Sequence, residues 1–187
     1  MLDTALEITA EQGVANVTMA AIATRMGVTR PVVYACYSGR GEVLMQLLER
    51  ETYLALTSLR AILPPQRTGS IEQMFVDGFG ALLADVTERP ASWQIIVAAQ
   101  ADPVLAEAIT QGRAQIRAQI CDVMRPLLQR WQVRDIDLVL PPLMDTLLSI
   151  SEGAIRLMLG PEPQWTATDL AEIVGRAAYR ALRATPR

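Results

Sequence analysis

The chain of 187 residues is 51% apolar and 20% charged, a balance that excludes a disordered or collagenous polypeptide and suits one domain, or a small domain beside a larger one. Its 17 basic side chains against 20 acidic ones leave a net charge of −3, so any nucleic-acid binding must be local. All the bases are arginine, and the lack of lysine and histidine excludes Schiff-base chemistry, imidazole acid–base catalysis and histidine-containing metal sites. No cofactor, no metal and no enzymatic activity are expected. Cys36 and Cys121 are far apart and form no CxxC pair, which suits a reducing cytoplasm. The leucine-rich stretch from Leu138 to Leu159 is interrupted by Pro141, Pro142, Asp145, Glu152 and Arg156, against a bilayer span. The amino terminus lacks the basic start and apolar run of a signal peptide, so a soluble cytoplasmic protein without a membrane partner is expected.

In chain order, Leu2, Ala5, Leu6 and Ile8 or Thr9 predict a first helix, with Gly13 where a left-handed cap belongs. Thr18 caps a second from Met19 to about Met26, with Ile22, Ala23 and Met26 inward and Gly27 as its stop. Thr29 and Pro31 open a short third helix that runs to about Cys36. After Ser38, Gly39 and Gly41, the repeat Val43, Leu44, Leu47, Leu48 and Leu54 marks a longer helix ending near Pro64. The run from Pro64 to Gly69 is the one obvious interior linker.

Beyond it Ile71, Phe75, Phe79, Leu82 and Val86 form a stripe, and Trp93, Ile96 and Val97 a shorter one after Pro90. Another follows Pro103, from Leu105 through Ile109, Gly112, Ile116, Ile120 and Val123 to Leu127. Helices at Ile136–Leu159 and Thr168–Ala184 flank a GPEP loop. No stretch alternates at period two, so the expected fold is all-α: a three-helix helix-turn-helix domain over residues 1–46 and a larger helical domain over 47–187.

Charge sharpens the first of these. Between Glu11 and Glu42 lie 30 residues without a carboxylate, holding Arg25, Arg30 and Arg40. A protein gains from displacing phosphate counterions only where its own surface lacks acids, so this window is the candidate interface for double-stranded DNA. Within it Val28, Val33 and Tyr37 are expected to pack on Ile22 and Leu6, leaving Thr29, Arg30, Pro31 and Tyr34 outward. Arg30 is the best base reader, because its planar fork matches guanine O6 and N7. Thr29 and Tyr34 offer hydroxyls, and Pro31 or Val32 suits a thymine methyl. Thr18 and Arg40 suit phosphates, and Arg25 and Tyr37 complete the candidate set.

The segment LDTALEITAEQGVANVTMAAIATRMGVTRPVVYACYSGRGEVLMQLL resembles the DNA-binding domain of TetR-family transcriptional regulators. It shares the alanine-rich first helix ending in EQG, the threonine opening the second, the IA...GV turn, and the TxxxxY third helix followed by an aromatic, a base and a leucine. The resemblance places Thr29, Arg30, Pro31 and Tyr34 on recognition-helix positions and Thr18 and Arg40 on phosphate-contacting ones. Cys36 and Ala35 depart from the pattern, as does the absence of a short basic arm. Either the native start lies upstream or DNA is bound with fewer charges.

The resemblance also implies a small-molecule effector site after about Ser70. Met74, Phe75, Phe79, Trp93, Met124, Trp131, Met144 and Met158 are the candidate lining, of the adaptable kind that suits apolar molecules, although such residues at helical spacing are usually plain core. Asp77, Asp145 and Glu152 are the acids to watch, since a cationic effector would suit them. A homodimer is expected, with Leu143, Leu147, Ile150, Ala154, Leu157, Leu170, Val174, Ala177 and Ala181 at the interface and Gly153, Gly175 and Ala178 permitting close approach. The implied function is a DNA-binding regulator, a repressor released from a palindromic operator by a small, largely apolar effector. The rival reading is a helical ligand-binding or interaction protein with a degenerate DNA-binding head.

Overall fold

The structure, a computed structural model, describes residues 1–62, 70–98, 105–161 and 164–183. Among these residues every regular element is helical, as the periodicity predicts: α1 (Leu2–Gln12), α2 (Met19–Met26), α3 (Arg30–Cys36), α4 (Arg40–Ile62), α5 (Ile71–Glu88), α6 (Pro90–Ala98), α7 (Ala106–Arg130), α8 (Ile136–Met158) and α9 (Ala167–Arg183), with a 3-10 turn at Val14–Asn16. The expected linker from Pro64 to Gly69, Pro103, the end of the GPEP loop and the helix end at Ala184 lie outside the described residues.

Two compact units emerge. The first joins Met1–Ala55 to Arg89–Gly112, and the second joins Leu56–Glu88 to the chain from Arg113 onward. The first unit's core is a continuous cluster of α1–α4 residues, among them Ala5, Ile8, Ile22, Val33, Leu44 and Leu47. Ile95 of α6 and Leu105 belong to the same cluster, and α1 lies against α6. Position along the chain therefore hides a partnership: α6 follows the linker but completes the core of the amino-terminal helices. A polar tie adds to it. Arg50 of α4 reaches Asp3 of α1 at 2.6 Å and its neighbour Glu51 at 2.8 Å, and this pairing lets Glu51 be buried.

In the second unit α9 lies against α5 with Ala171 and Gly175 facing it, and Ala178 and Leu182 are buried on the same helix. The approach at Gly175 is too close for any side chain, because a Cβ there would stand 2.6 Å from the Val76 Cα and 3.0 Å from the Phe75 carbonyl carbon. Gly175 and Ala178 are thus engaged within the subunit, where the sequence reading places them at a contact between subunits. α8 buries Leu140, Met144, Leu147, Leu148, Ala154 and Ile155 and meets both α5 and α9. It is also the described helix whose length and composition would suffice to cross a membrane; packing on two neighbours accounts for its buried residues, while Leu138 and Leu157 remain exposed. Ion pairs Arg113–Glu152 (2.8 Å), Arg117–Asp145 (2.7 Å) and Arg125–Asp137 (2.8 Å) link α7 to α8 with rising number against falling number, so the two run antiparallel.

Candidate nucleic-acid interface and ligand cavity

In the first unit, local chemistry sets the angle at which α3 is presented. The Thr18 hydroxyl accepts the Ala21 N–H at 3.0 Å and starts α2. Gly27 ends it in the left-handed region at φ 67°, and the Val28 N–H reaches back to the Ala23 carbonyl at 3.0 Å, the six-to-one bond of a Schellman stop. After this tight turn α3 anchors itself by Val33, which is fully buried, while Val28 and Tyr37 pack partly buried against the same core along with Leu6.

The rest of α3 is open. Arg30, Pro31, Val32, Tyr34, Ala35 and Cys36 are all exposed, with Val32 at 48% and Tyr34 at 54%. A short helix showing apolar and aromatic surface to water is unusual unless something covers it. Thr29 occupies the cap position but makes no side-chain cap bond, so its hydroxyl is not committed to the helix. Arg30 has no ion pair or hydrogen bond among the described residues.

The other candidate bases differ from Arg30. Arg25 hydrogen-bonds Glu11 of α1 and lies 3.9 Å from Glu7, and this hydrogen bond holds the Glu11 carboxyl below its usual range. Arg40 donates from Nε to the Val17 carbonyl at 3.0 Å and from Nη2 to the Val14 carbonyl at 3.2 Å, fastening the α1–α2 connection. Sequence reasoning counted charge inside the window and missed α1, which brings carboxylates back from outside it. Ser38, at the start of α4, donates both its N–H and its hydroxyl to Glu42 at 2.6 and 2.8 Å, and these bonds hold the Glu42 carboxyl low.

The second unit contains a cavity of about 390 Å³. From α5 come Met74, Phe75, Gly78, Phe79 and Leu82; from α7, Ile116, Gln119, Ile120, Asp122, Val123 and Met124; from α8, Leu147 and Ser151; and from α4, Leu56. Four expected lining residues, Met74, Phe75, Phe79 and Met124, meet there. Trp93 instead is buried in α6 of the first unit, Met144 is fully buried in the α8 core, and Met158 does not reach the cavity wall. Trp131 stacks edge-on to Tyr179 at 6.0 Å, and Tyr179 lies 6.0 Å from Phe75, one ring behind the wall. The periodic α7 positions Ile116, Ile120 and Val123 were visible as a stripe, but aromatic and methionine content alone did not select them. Burial pushes the thiol of Cys121, beside this wall, above its ordinary range. Among the described residues no cluster of cysteine or carboxylate side chains could hold a metal.

The expected interface residues are divided. Leu147, Ala154 and Leu170 are buried within the unit, Leu143, Ile150 and Val174 are partly exposed, and Leu157, Ala177 and Ala181 are exposed. Leu138 at 76%, Ile173 at 51% and Trp165 at 46% add exposed apolar surface on or beside the same helices.

An amino-terminal helix-turn-helix with an open third helix, followed by a helical body with an apolar cavity, is an architecture shared with helix-turn-helix regulators. Residues 1–47 match the family model described as bacterial regulatory proteins, tetR family. The fold is similar to that of a TetR-like transcriptional regulator from Rhodococcus sp. RHA1 (TM-score 0.74, 17% identity, 98% of this chain and 94% of that one). It is similar also to a putative transcriptional regulator from Pseudomonas aeruginosa PAO1 (0.76, 18%, 98% and 88%), and to the fatty acid degradation regulator FadR from Bacillus halodurans (0.72, 16%, 100% and 97%). No curated protein matches the sequence. Residues 1–47 thus match the TetR-family DNA-binding model, and the chain as a whole has the fold of the TetR-like regulators it is similar to.

Proposed function

We propose that this protein is a homodimeric repressor that binds a palindromic operator through α3 and leaves it when a small, largely apolar molecule fills the cavity of the second unit. The observation that carries the reading is α3 itself: one buried anchor, Val33, fixes a helix whose remaining side chains, Arg30 first among them, are exposed. Arg30 is assigned to base edges, Thr29 and Tyr34 to bases or phosphates, Pro31 and Val32 to thymine methyls, and Thr18 to phosphate. Arg25 and Arg40 set the shape of the head and contribute their remaining charge to the backbone field. Two heads on a two-fold axis would enter successive major grooves about 34 to 36 Å apart. The exposed apolar surface of Leu138, Leu157, Ile173 and Ala177 supports a second copy as the partner of α8 and α9. Filling the cavity would shift the head spacing with a coupling of about 1 to 3 kcal/mol.

Fluorescence anisotropy with DNA flanking the protein's own gene tests this. Arg30→Ala is expected to reduce discrimination between operator and random DNA by about 1 to 3 kcal/mol, whereas Arg40→Ala lowers both affinities and flattens the salt dependence. Equal effects of the two changes on both DNAs would refute the division of roles.

A further inference from the structure

We propose that the cavity of the second unit receives a cationic amphiphile, with the Asp122 carboxylate as its counter-ion at the mouth and the rings of Phe75 and Phe79 against its body. The inference rests on the reading that this cavity is the effector site, and adds the charge of the ligand to it. Among the residues that line the cavity Asp122 alone is ionisable, and no arginine lines it. The neighbouring acids of the unit have partners: Asp145 and Glu152 pair with Arg117 and Arg113, and Asp137 with Arg125. Asp122 has neither an ion pair nor a hydrogen bond among the described residues. It is both exposed and part of the cavity lining, so it lies where the cavity meets solvent, while Phe79, Leu82 and Met124 are buried and give the interior its apolar surface.

A carboxylate left unmatched beside an apolar hollow selects by charge in both directions. It attracts a cation whose tail fills the hollow and repels an anion of the same shape, for which the wall supplies no compensating base. The hydroxyl of Ser151 provides a polar contact for a heteroatom without altering the sign of the site.

Isothermal titration of the full-length protein with decyltrimethylammonium, decanol and decanoate, each below its micellar concentration, tests the assignment. The expected order of affinity is cation, alcohol, anion. Asp122→Asn should weaken the cation by about 2- to 5-fold, the scale of a solvent-exposed ion pair, and leave decanol unchanged. Asp122→Arg should move the preference to decanoate. Because residue 122 is exposed, neither change threatens folding. If all three probes bind alike, or if Asp122→Asn keeps the cation's advantage, the cavity still binds apolar chains but the charge assignment is overturned. If none binds, the effector-site reading falls and this inference falls with it.

Discussion

Gly175 offers the sharpest test of how the second unit is packed. Carbon atoms in contact sit about 3.5 to 4.0 Å apart, whereas a Cβ at Gly175 would meet the Val76 Cα at 2.6 Å, the Val76 nitrogen at 2.8 Å and the Phe75 carbonyl carbon at 3.0 Å. All three are backbone atoms of α5 and have no rotamer by which to yield, so α9 must retreat by roughly 1 Å. Overpacking of this kind costs about 1 to 3 kcal/mol, with rigid neighbours at the upper end. Alanine in a helix interior returns about 0.8 to 1.0 kcal/mol over glycine, which leaves Gly175→Ala destabilised by about 2 kcal/mol. Gly80→Ala, in α5 against the same α9, is the internal control: its Cβ would meet only the Ala171 Cβ at 3.8 Å, an ordinary contact, so the propensity gain of about 1 kcal/mol should survive. The two variants should therefore differ by about 3 kcal/mol, or about 6 to 12 °C in Tm for a chain of this size. Melts by circular dichroism at one fixed protein concentration, which holds any subunit association constant, would measure it. Equal midpoints for the two variants would show that α9 does not approach α5 as closely as described.

Thr18→Ala should cost about 1 kcal/mol of stability by removing a cap bond, while Thr29→Ala, whose hydroxyl caps nothing, should leave the Tm unchanged and weaken DNA binding in anisotropy titrations. Acid should loosen the head: Glu11 and Glu42 are both held below their usual value of 4.5, so their stabilisation is complete above that pH and is lost as pH falls through the folded values. Melts from neutral pH to below 4.5 should show a decline that Glu11→Gln and Glu42→Gln each make shallower; unchanged pH dependence in both variants would contradict the role of the Arg25 and Ser38 bonds.

The helices were legible because their signals are local. Thr18 before Met19 and Gly27 after Met26 delimit α2 by chemistry that acts within a few residues, and the three- and four-residue spacing of Val43, Leu44, Leu47 and Leu48 names the buried face of α4 without reference to any partner. Which helix covers which face is a matter of long-range pairing, and there the sequence was silent. Nothing in PASWQIIVA announces that Ile95 closes the core of α1 and α4, and an apolar stripe reads the same in either unit. Trp93 illustrates the limit: as a large aromatic it suits a cavity wall, yet its helix belongs elsewhere.

The binding sites divide along the same line between composition and arrangement. Counting charges over Gln12–Gly41 found a basic window because the count follows the chain, but the field that DNA meets is summed in space, where Glu7 and Glu11 accompany Arg25 and backbone carbonyls hold Arg40. What survives of the window is narrower and more directional, a single uncommitted guanidinium at the start of α3. A diffuse excess of three charges would bind any duplex, whereas the proposed role of Arg30, among exposed Thr29, Pro31, Val32 and Tyr34, is to weigh one base pair against another. The same argument applies in the second unit. Of the acids the sequence singled out there, Asp145 and Glu152 are matched by arginines one helix away and Asp77 is hydrogen-bonded by Gln73, whereas the proposed counter-ion is Asp122 of the cavity lining, which no spacing rule distinguishes from the other acids. In both units the groups available for recognition are those that folding leaves without partners, and pairing is a property of the folded chain.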